Sequence, residues 1–257
     1  KKAIDERLQV VNTFYQDTSL TEALLENIRH IGDLERLISK VAVGRINPRE
    51  LLQLKKSLQR TLPVKDLLCE NNSPELNKLG SQLTRCDQLI EKIEKELRDD
   101  VSILSNQGGI IKEGIDTDLD ELRSIAYTGK DYLLQIQKRE VERTGINSLK
   151  ISYNKVFGYY LEVSNANKDK VPSDWIRKQT LVNAERYITE ELKVYEEKIL
   201  NAEEKLIAIE LRLFQDMIRF ATDFISQIQQ NARIIAMLDC LLALSCVARH
   251  NRYCKPE

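Results

Sequence analysis

A short stretch beyond the middle of the chain combines cations with neutral hydrogen-bond donors, and a second such stretch lies just upstream of it. Guanidinium, ammonium, amide and hydroxyl groups bind a phosphate backbone without reading the base sequence. We predict phosphate contacts for all of these side chains, the alternative for each being an ordinary solvated surface. The candidates are Arg177, Lys178, Gln179, Thr180, Asn183, Asn165, Asn167 and Lys168. Two neighbours, Glu185 and Arg186, are expected to form a structural pair instead.

The region around these candidates has a charge of its own. The whole chain carries a net charge of −1, so its global charge predicts no nucleic-acid partner. Between 144 and 188, however, seven cations stand against four anions, a balance of +3 that leaves −4 elsewhere. The cations are Lys150, Lys155, Lys168, Lys170, Arg177, Lys178 and Arg186, and the anions are Glu162, Asp169, Asp174 and Glu185. A basic insert of this kind is consistent with a domain that binds DNA or RNA. The alternative is a small solvated domain that has the same charge and binds no nucleic acid.

The sequence patterns of common active sites do not occur in this chain. A nucleotide-cradling loop needs Gly-x-x-x-x-Gly-Lys-Ser/Thr, and the nearest fragment, Gly129-Lys130-Asp131, lacks both the upstream glycine and the hydroxyl. His30 and His250 are the only histidines, which leaves little material for a metal site or a catalytic pair. The cysteines number five and none shows Cys-x-x-Cys spacing, as expected of thiols in a reducing cytosol. We predict no enzyme activity, no cofactor and no metal for this chain.

Helices must position the basic insert, because glycine and proline are scarce and apolar residues recur at helical spacing. Asn47-Pro48 and Ser73-Pro74 each place a capping residue before a proline, and they predict two helix starts. The apolar pattern after Pro74 continues to Leu97. No uninterrupted apolar run approaches 18 residues, so we expect no membrane span and no membrane partner.

Two long amphipathic segments flank the insert. The first is predicted to run from Thr117, as its cap, to Arg143, with Gly145 as the stop. The second is predicted to start near Thr189 and to continue for about forty residues, past a shift in its apolar stripe, to Ile228. Burying both stripes requires the helices to pack antiparallel, with 144–188 at the far end of the hairpin.

The insert itself shows the two-residue alternation of β-strands. Leu149, Ile151 and Tyr153 alternate with polar residues, and the same pattern recurs in a second segment, so that a β-hairpin turns at 154–158. An extended stretch near 176–183 is expected to complete a small sheet. The aromatic residues of the insert are predicted to form its core: Tyr153, Phe157, Tyr159, Tyr160, Trp175 and Tyr187.

The predicted fold is mainly α, with a helical core, a long antiparallel helical hairpin and a small β-rich insert at its tip. The helical domain is expected to be discontinuous, made of 1–128 and 190–257, and the insert domain to span 129–189.

Several longer strings resemble the bacterial MutS DNA mismatch-repair family. FGYYLEVS (157–164) and RKQTLVNAERYIT (177–189) are similar to its clamp region, and EELKVYEEKIL (190–200) to the helix that returns from the clamp. Upstream, GDLER (32–36) and ERTGI (142–146) match further strings of the family. The similarity covers nearly the whole chain and keeps the order of its elements.

The resemblance implies a helical core and lever that carry a clamp, with the clamps of two subunits closing around duplex DNA. Its expected partner is therefore the double-stranded DNA backbone, within a cytoplasmic homodimer whose full-length form uses ATP and Mg²⁺. The family's Phe-x-Glu mismatch reader and its P-loop have no counterpart in this sequence. The alternative function is that of a coiled-coil spacer whose β-rich end binds a protein.

Overall fold

A computed structural model describes residues 2–101, 108–154, 156 and 158–255, with only the backbone described at Gly129 and Lys130. Lys155 and Phe157, which were counted above among the cations and aromatics of the insert, lie outside the described residues. The described helices are α1 (Lys2–Gln16), α2 (Thr18–Ile28), α3 (Leu34–Ala42), α4 (Pro48–Cys69), α5 (Pro74–Gln82), α6 (Asp87–Glu96), α7 (Thr117–Thr144), α8 (Glu190–Thr222) and α9 (Ile225–Asn251). The strands are β1 (Lys150–Asn154), β2 (Gly158–Ser164), β3 (Ile176–Thr180) and β4 (Ala184–Ile188).

The chain divides into two compact units. Unit 1 comprises Lys1–Lys112 and Leu211–Glu257, and unit 2 comprises Glu113–Glu210. The predicted mainly-α fold with a small β insert is confirmed. The predicted boundaries at 129 and 189 concern a smaller piece within unit 2 and stay a prediction.

The described regular structure of unit 1 is helical apart from an antiparallel bridge between Leu97 and Ile111, and two of its helix starts follow the capping signals. Asn47 and Glu50 form a reciprocal capping box at the start of α4, and the Ser73 hydroxyl accepts a hydrogen bond from the Leu76 backbone N–H. The apolar pattern after Pro74 is divided between α5 and α6, because the intervening Cys86 adopts a left-handed φ of 55°. The apolar pattern predicted up to Leu97 therefore serves two helices, and Leu83, Leu89, Ile93 and Leu97 are buried.

The second long helix is also shorter than predicted. Helix α8 ends at Thr222, where the Asp223 and Phe224 backbone N–H groups bond to the carbonyls three residues earlier, at 3.3 and 3.2 Å. Such tight terminal bonds close a helix. The shift of the apolar stripe thus marks the junction of α8 and α9, and the predicted forty-residue helix was wrong.

Helix α9 is long and apolar enough, by length and composition alone, to cross a membrane. This is weak evidence for a span, since core helices share the property. Apolar side chains of α9 lie in the main core of unit 1, among them Ile234, Leu238 and Leu242. The expected absence of a membrane partner stays a prediction.

All five cysteines lie in unit 1 as free thiols. Cys86 is buried, and burial raises the pKa of its thiol to about 11. The other four, Cys69, Cys240, Cys246 and Cys254, are exposed.

Unit 2 contains α7, the sheet and the first part of α8. The side chain of Asp116, not Thr117, caps α7 by accepting from the Leu119 backbone N–H at 3.0 Å, which corrects the predicted cap by one residue. Asp116 has the extended backbone of a capping residue, whereas Thr117 is already helical. At the other end, Gly145 stops α7 with a left-handed φ of 65°, as predicted.

The sheet is antiparallel throughout, with the order β1-β2-β4-β3. The predicted hairpin of β1 and β2 and the predicted strand β3 are confirmed. Strand β4 was missed, because charged and apolar residues share both of its faces. Tyr187 lies on the same face as Glu185, and Arg186 on the same face as Ile188.

The core of unit 2 lies between one face of the sheet and the helices. Leu161 and Val163 of β2 pack with Tyr187, with Leu133 and Ile136 of α7 and with Leu192 and Ile199 of α8. Of the predicted aromatic core residues, Trp175, Tyr187 and Tyr160 are buried and Tyr159 is partly buried, but Tyr153 is 47% exposed. Trp175 and Tyr187 belong to this core and Tyr159 packs against it, whereas Tyr160 is buried on the opposite face of the sheet, under Arg186. The aromatic prediction therefore holds for three of the five described residues and fails for Tyr160 and Tyr153.

Candidate nucleic-acid interface

The end of the sheet where β2 finishes and β4 begins is built from two loops that hold each other. A 3-10 helix, Asn165–Lys170, follows β2, and the turn 181–183 joins β3 to β4. The Asn165 backbone N–H donates to the Asn183 carbonyl at 3.2 Å, and the Asn165 side-chain amide donates to the Val182 carbonyl at 2.8 Å. We call this pair of segments, 165–170 and 181–183, the tip.

Cations of the tip are exposed. Lys168 and Lys170 face solvent, and within the described part of the chain neither forms an ion pair. Asn183 and Thr180 are exposed beside them. Lys170 was counted among the cations of the insert but not selected as a contact, although its position two residues after Lys168 was a usable signal.

Two of the predicted contact residues have a structural role at the tip. The Asn167 amide donates to the hydroxyl oxygens of Ser148, at 3.3 Å, and Ser164, at 3.2 Å. The Asn165 amide holds the facing turn through Val182, as described above. Their amide hydrogens stabilise the loops, so phosphate contact at these two positions stays a weaker prediction than at Lys168.

Arg177 is held by a carboxylate on the neighbouring strand. Its guanidinium lies 3.3 Å from Glu185, whose side chain is only 12% exposed. The Tyr187 hydroxyl also donates to Glu185, and this hydrogen bond, followed by the charge of Arg177, lowers the pKa of the carboxyl. Burial and the same carboxylate raise the pKa of Tyr187 to about 12. The predicted pair of Glu185 with Arg186 is therefore wrong, since Glu185 and Arg186 lie on opposite faces of β4.

Arg186 instead organises the other face of the sheet. It lies 3.2 Å from Glu162 on β2, donates to the Gln179 side-chain oxygen at 2.9 Å and stacks over the Tyr160 ring at 4.4 Å. The strand register aligns Glu162, Arg186 and Gln179 across three strands. Gln179 thus has an internal partner, and its predicted phosphate contact must compete with that partner.

Lys178 lies apart from the tip. A register shift between Arg177 and Gln179 puts it at a β-bulge, and its side chain lines a groove with Lys193 of α8. The structure therefore brings Asn165, Asn167, Lys168 and Asn183 together at the tip, with Thr180 just before the turn. Lys178 instead lines the groove, and Arg177 is held by Glu185, a carboxylate whose pKa the charge of Lys168 also lowers.

Arg177→Glu is expected to lower the melting temperature of the protein, whereas Lys178→Glu should leave it unchanged. The first substitution puts a carboxylate against the poorly exposed Glu185 and removes its ion pair, and the second changes an exposed side chain with no ion-pair partner among the described residues. Thermal melts of the two single variants test this contrast. Equal melting temperatures for both would show that the Arg177–Glu185 pair contributes nothing in solution.

An ion network joins the end of α7 to the start of α8. Arg139 of α7 donates to both carboxylate oxygens of Glu191 on α8, one of them at 3.2 Å, and the Tyr132 hydroxyl donates to the same carboxylate at 2.6 Å. These hydrogen bonds, from Arg139 first, lower the pKa of Glu191. Tyr132 also stacks on Tyr195 at 3.8 Å, which fixes the predicted antiparallel packing of α7 and α8 within unit 2.

A second part of the network reaches the sheet. Arg143 near the end of α7 lies 2.5 Å from Asp174 and 3.3 Å from the buried Glu140. The hydrogen bond from Arg143 lowers the pKa of Asp174, which precedes the buried Trp175 in the chain. The sheet is thus tied to α7 through side chains as well as through the chain itself.

Comparison with known proteins identifies the family of this arrangement. The family model described as MutS family domain IV matches residues 114–205, which is most of unit 2. The DNA mismatch repair protein MutS of Bacteroides thetaiotaomicron is 56% identical over 100% of this chain. The chain belongs to the MutS family. Its relatives MutS of Cytophaga hutchinsonii and MutS of Porphyromonas gingivalis are 58% and 47% identical, each over 98% of the chain.

The chain spans about 30% of the length of these MutS relatives, with values of 30%, 30% and 28% for the three named. The sheet, α7 and the first half of α8 all fall within the range of MutS family domain IV.

Proposed function

We propose that this MutS-family chain contacts the backbone of duplex DNA through its tip, as part of a mismatch-repair protein. The observation that carries the proposal is the pair of exposed lysines at the tip, Lys168 and Lys170, neither of which forms an ion pair with the residues that the structure describes, beside the exposed Asn183 and Thr180. Side chains of these types hold phosphates through charge and hydrogen bonds and carry no base readout. The name of the relatives, DNA mismatch repair protein, supports the same function.

We also propose that α7 and α8 act as a lever that links the tip to the rest of a longer, cytoplasmic, homodimeric protein. ATP hydrolysis with Mg²⁺ and recognition of the mismatch belong, in this proposal, to the parts of the relatives that the chain does not span. The residues of this chain do not fit an ATP site, because its sequence contains no phosphate-cradling glycine loop. The proposed DNA contact of this chain therefore does not involve ATP.

The proposal predicts weak, salt-dependent binding of duplex DNA that does not distinguish a mismatch. Two phosphate contacts correspond to a slope of about −1.8 in log K against log salt, so affinity should fall about tenfold between 50 and 200 mM salt. Fluorescence anisotropy with a perfect and a singly mismatched duplex measures both properties. Binding that ignores salt would favour a protein-binding spacer, and a clear preference for the mismatch would contradict the backbone contact.

A further inference from the structure

A groove lies at the opposite end of the sheet from the tip. It has a volume of about 390 Å³ and is bordered by the β1–β2 hairpin, the bulge of β3 and the first turns of α8. Ile188 lines it at the last residue of β4, four residues from Ala184, which begins beside the tip. At about 3.4 Å per residue the groove is therefore about 14 Å along the strand from the tip, and it uses different side chains.

The groove is cationic. Lys178 and Lys193 line it from two different elements, and neither forms an ion pair among the residues that the structure describes. Among the described residues that line it, Glu196 is the acidic one, and its carboxylate accepts a hydrogen bond from the Tyr159 backbone N–H at 3.2 Å. The glycine at 158 allows the Glu196 side chain to approach the hairpin so closely, because a Cβ at this position would lie 1.7 Å from a Glu196 carboxylate oxygen. Two lysine charges against one carboxylate leave these lining residues with a net charge of +1, which favours an anion.

An aromatic surface completes the groove. The Tyr153 ring is 47% exposed and rests against Tyr159, with ring centroids 5.1 Å apart. A supported and exposed ring beside two cations is the combination by which proteins bind single-stranded nucleic acid: bases stack on the ring and phosphates meet the charges. The volume falls in the range of small-molecule sites, roughly 300–1,000 Å³.

We propose that this groove binds an unpaired nucleotide of DNA, with the base against Tyr153 and the phosphate at Lys178 and Lys193. The inference rests on the proposed DNA-binding function and adds to it a single-strand contact separate from the duplex contact at the tip. It also gives Lys178 a role that the tip does not provide.

The test compares two probes, the oligonucleotide (dT)8 and an abasic strand of equal length, by fluorescence anisotropy with the whole 257-residue chain. The wild-type chain should bind (dT)8 about tenfold more tightly than the abasic strand. Tyr153→Leu should remove this preference, and Tyr153→Phe should keep it, because the ring is retained. Tyr127→Leu, at a 74% exposed tyrosine of α7, is the matched control and should change nothing.

The lysines have their own control. Lys178→Gln and Lys193→Gln should each weaken both strands about threefold, whereas Lys205→Gln, an exposed lysine further along α8 that does not line the groove, should leave them unchanged. An octaglutamate peptide should bind at least tenfold more weakly than (dT)8, and equal binding would point to a protein-docking groove and overturn the proposal.

Failure of this inference is distinguishable from failure of the proposed function. If duplex DNA binds with the expected salt dependence while the base preference and the effect of Tyr153→Leu are both missing, the groove proposal falls and the tip proposal stands. If the wild-type chain binds no duplex, the proposed function falls first.

Discussion

Replacing Lys168 and Lys170 together by glutamate is expected to abolish measurable duplex binding while leaving the melting temperature almost unchanged. Each substitution converts an attraction to phosphate into a repulsion, and both side chains are exposed at the tip. Loss of the two contacts alone removes about 1.8 from the magnitude of the salt slope, which is the whole dependence expected of the tip. A salt-titrated anisotropy curve and a thermal melt of the same variant give both readings.

The matched control places the same charge change on the helices. Lys138 of α7 and Lys205 of α8 are exposed and lie outside the tip, so their double replacement by glutamate should retain duplex binding. Equal loss of binding in both variants would mean that net charge, rather than the tip, determines affinity. Retained binding in the tip variant would refute the proposed contact.

Trp175→Ala is expected to lower the free energy of unfolding of unit 2 by about 3–5 kcal/mol, the usual cost of removing a buried aromatic side chain. Trp175 is 5% exposed in the core that joins the sheet to α7 and α8, and its ring lies 5.9 Å from that of Tyr187. Hydrogen exchange of the strand amides, measured in increasing urea, gives the change in the free energy of unfolding. Duplex binding should weaken in parallel, because the sheet presents the tip.

Two further substitutions show whether the effect comes from packing. Trp175→Phe keeps a ring and removes a buried indole N–H that has no hydrogen-bond partner among the described residues, so its cost should be well below that of alanine. Val182→Ala at the 91% exposed turn should alter stability by no more than about 0.5 kcal/mol. If Trp175→Ala is as mild as Val182→Ala, the sheet does not depend on this core.

Local signals in the sequence were sufficient to predict much of the fold. The prolines after Asn47 and Ser73 mark helix starts, Gly145 marks a helix end, and the alternation in β1 and β2 predicts their hairpin. These features depend on one or two residues and their immediate neighbours. The end of α8 was missed because the shift of the apolar stripe is also consistent with a change of face within one helix, whereas the backbone tightens at Asp223 and Phe224.

The candidate site was only partly predictable, because residue type does not reveal a cross-strand partner. Arg177 and Lys178 are adjacent cations in the sequence, yet the register gives the first a carboxylate on β4 and turns the second into the groove. Asn165 and Asn167 have the composition of a phosphate site, but their amides close the loops. The pairing of strands, which is long-range information, decides which of these polar groups stay available.

The placement of the cysteines has a chemical consequence for the molecule. Residues 113–210 contain neither cysteine nor methionine, so every sulfur atom of the chain belongs to unit 1. Peroxide and alkylating agents attack thiolates and thioethers first. Such reagents should therefore modify the sulfur atoms of the helical unit before they modify the sheet. The absence of sulfur from residues 113–210 also makes any cysteine introduced into unit 2, for example Val182→Cys, the sole thiol label of that unit.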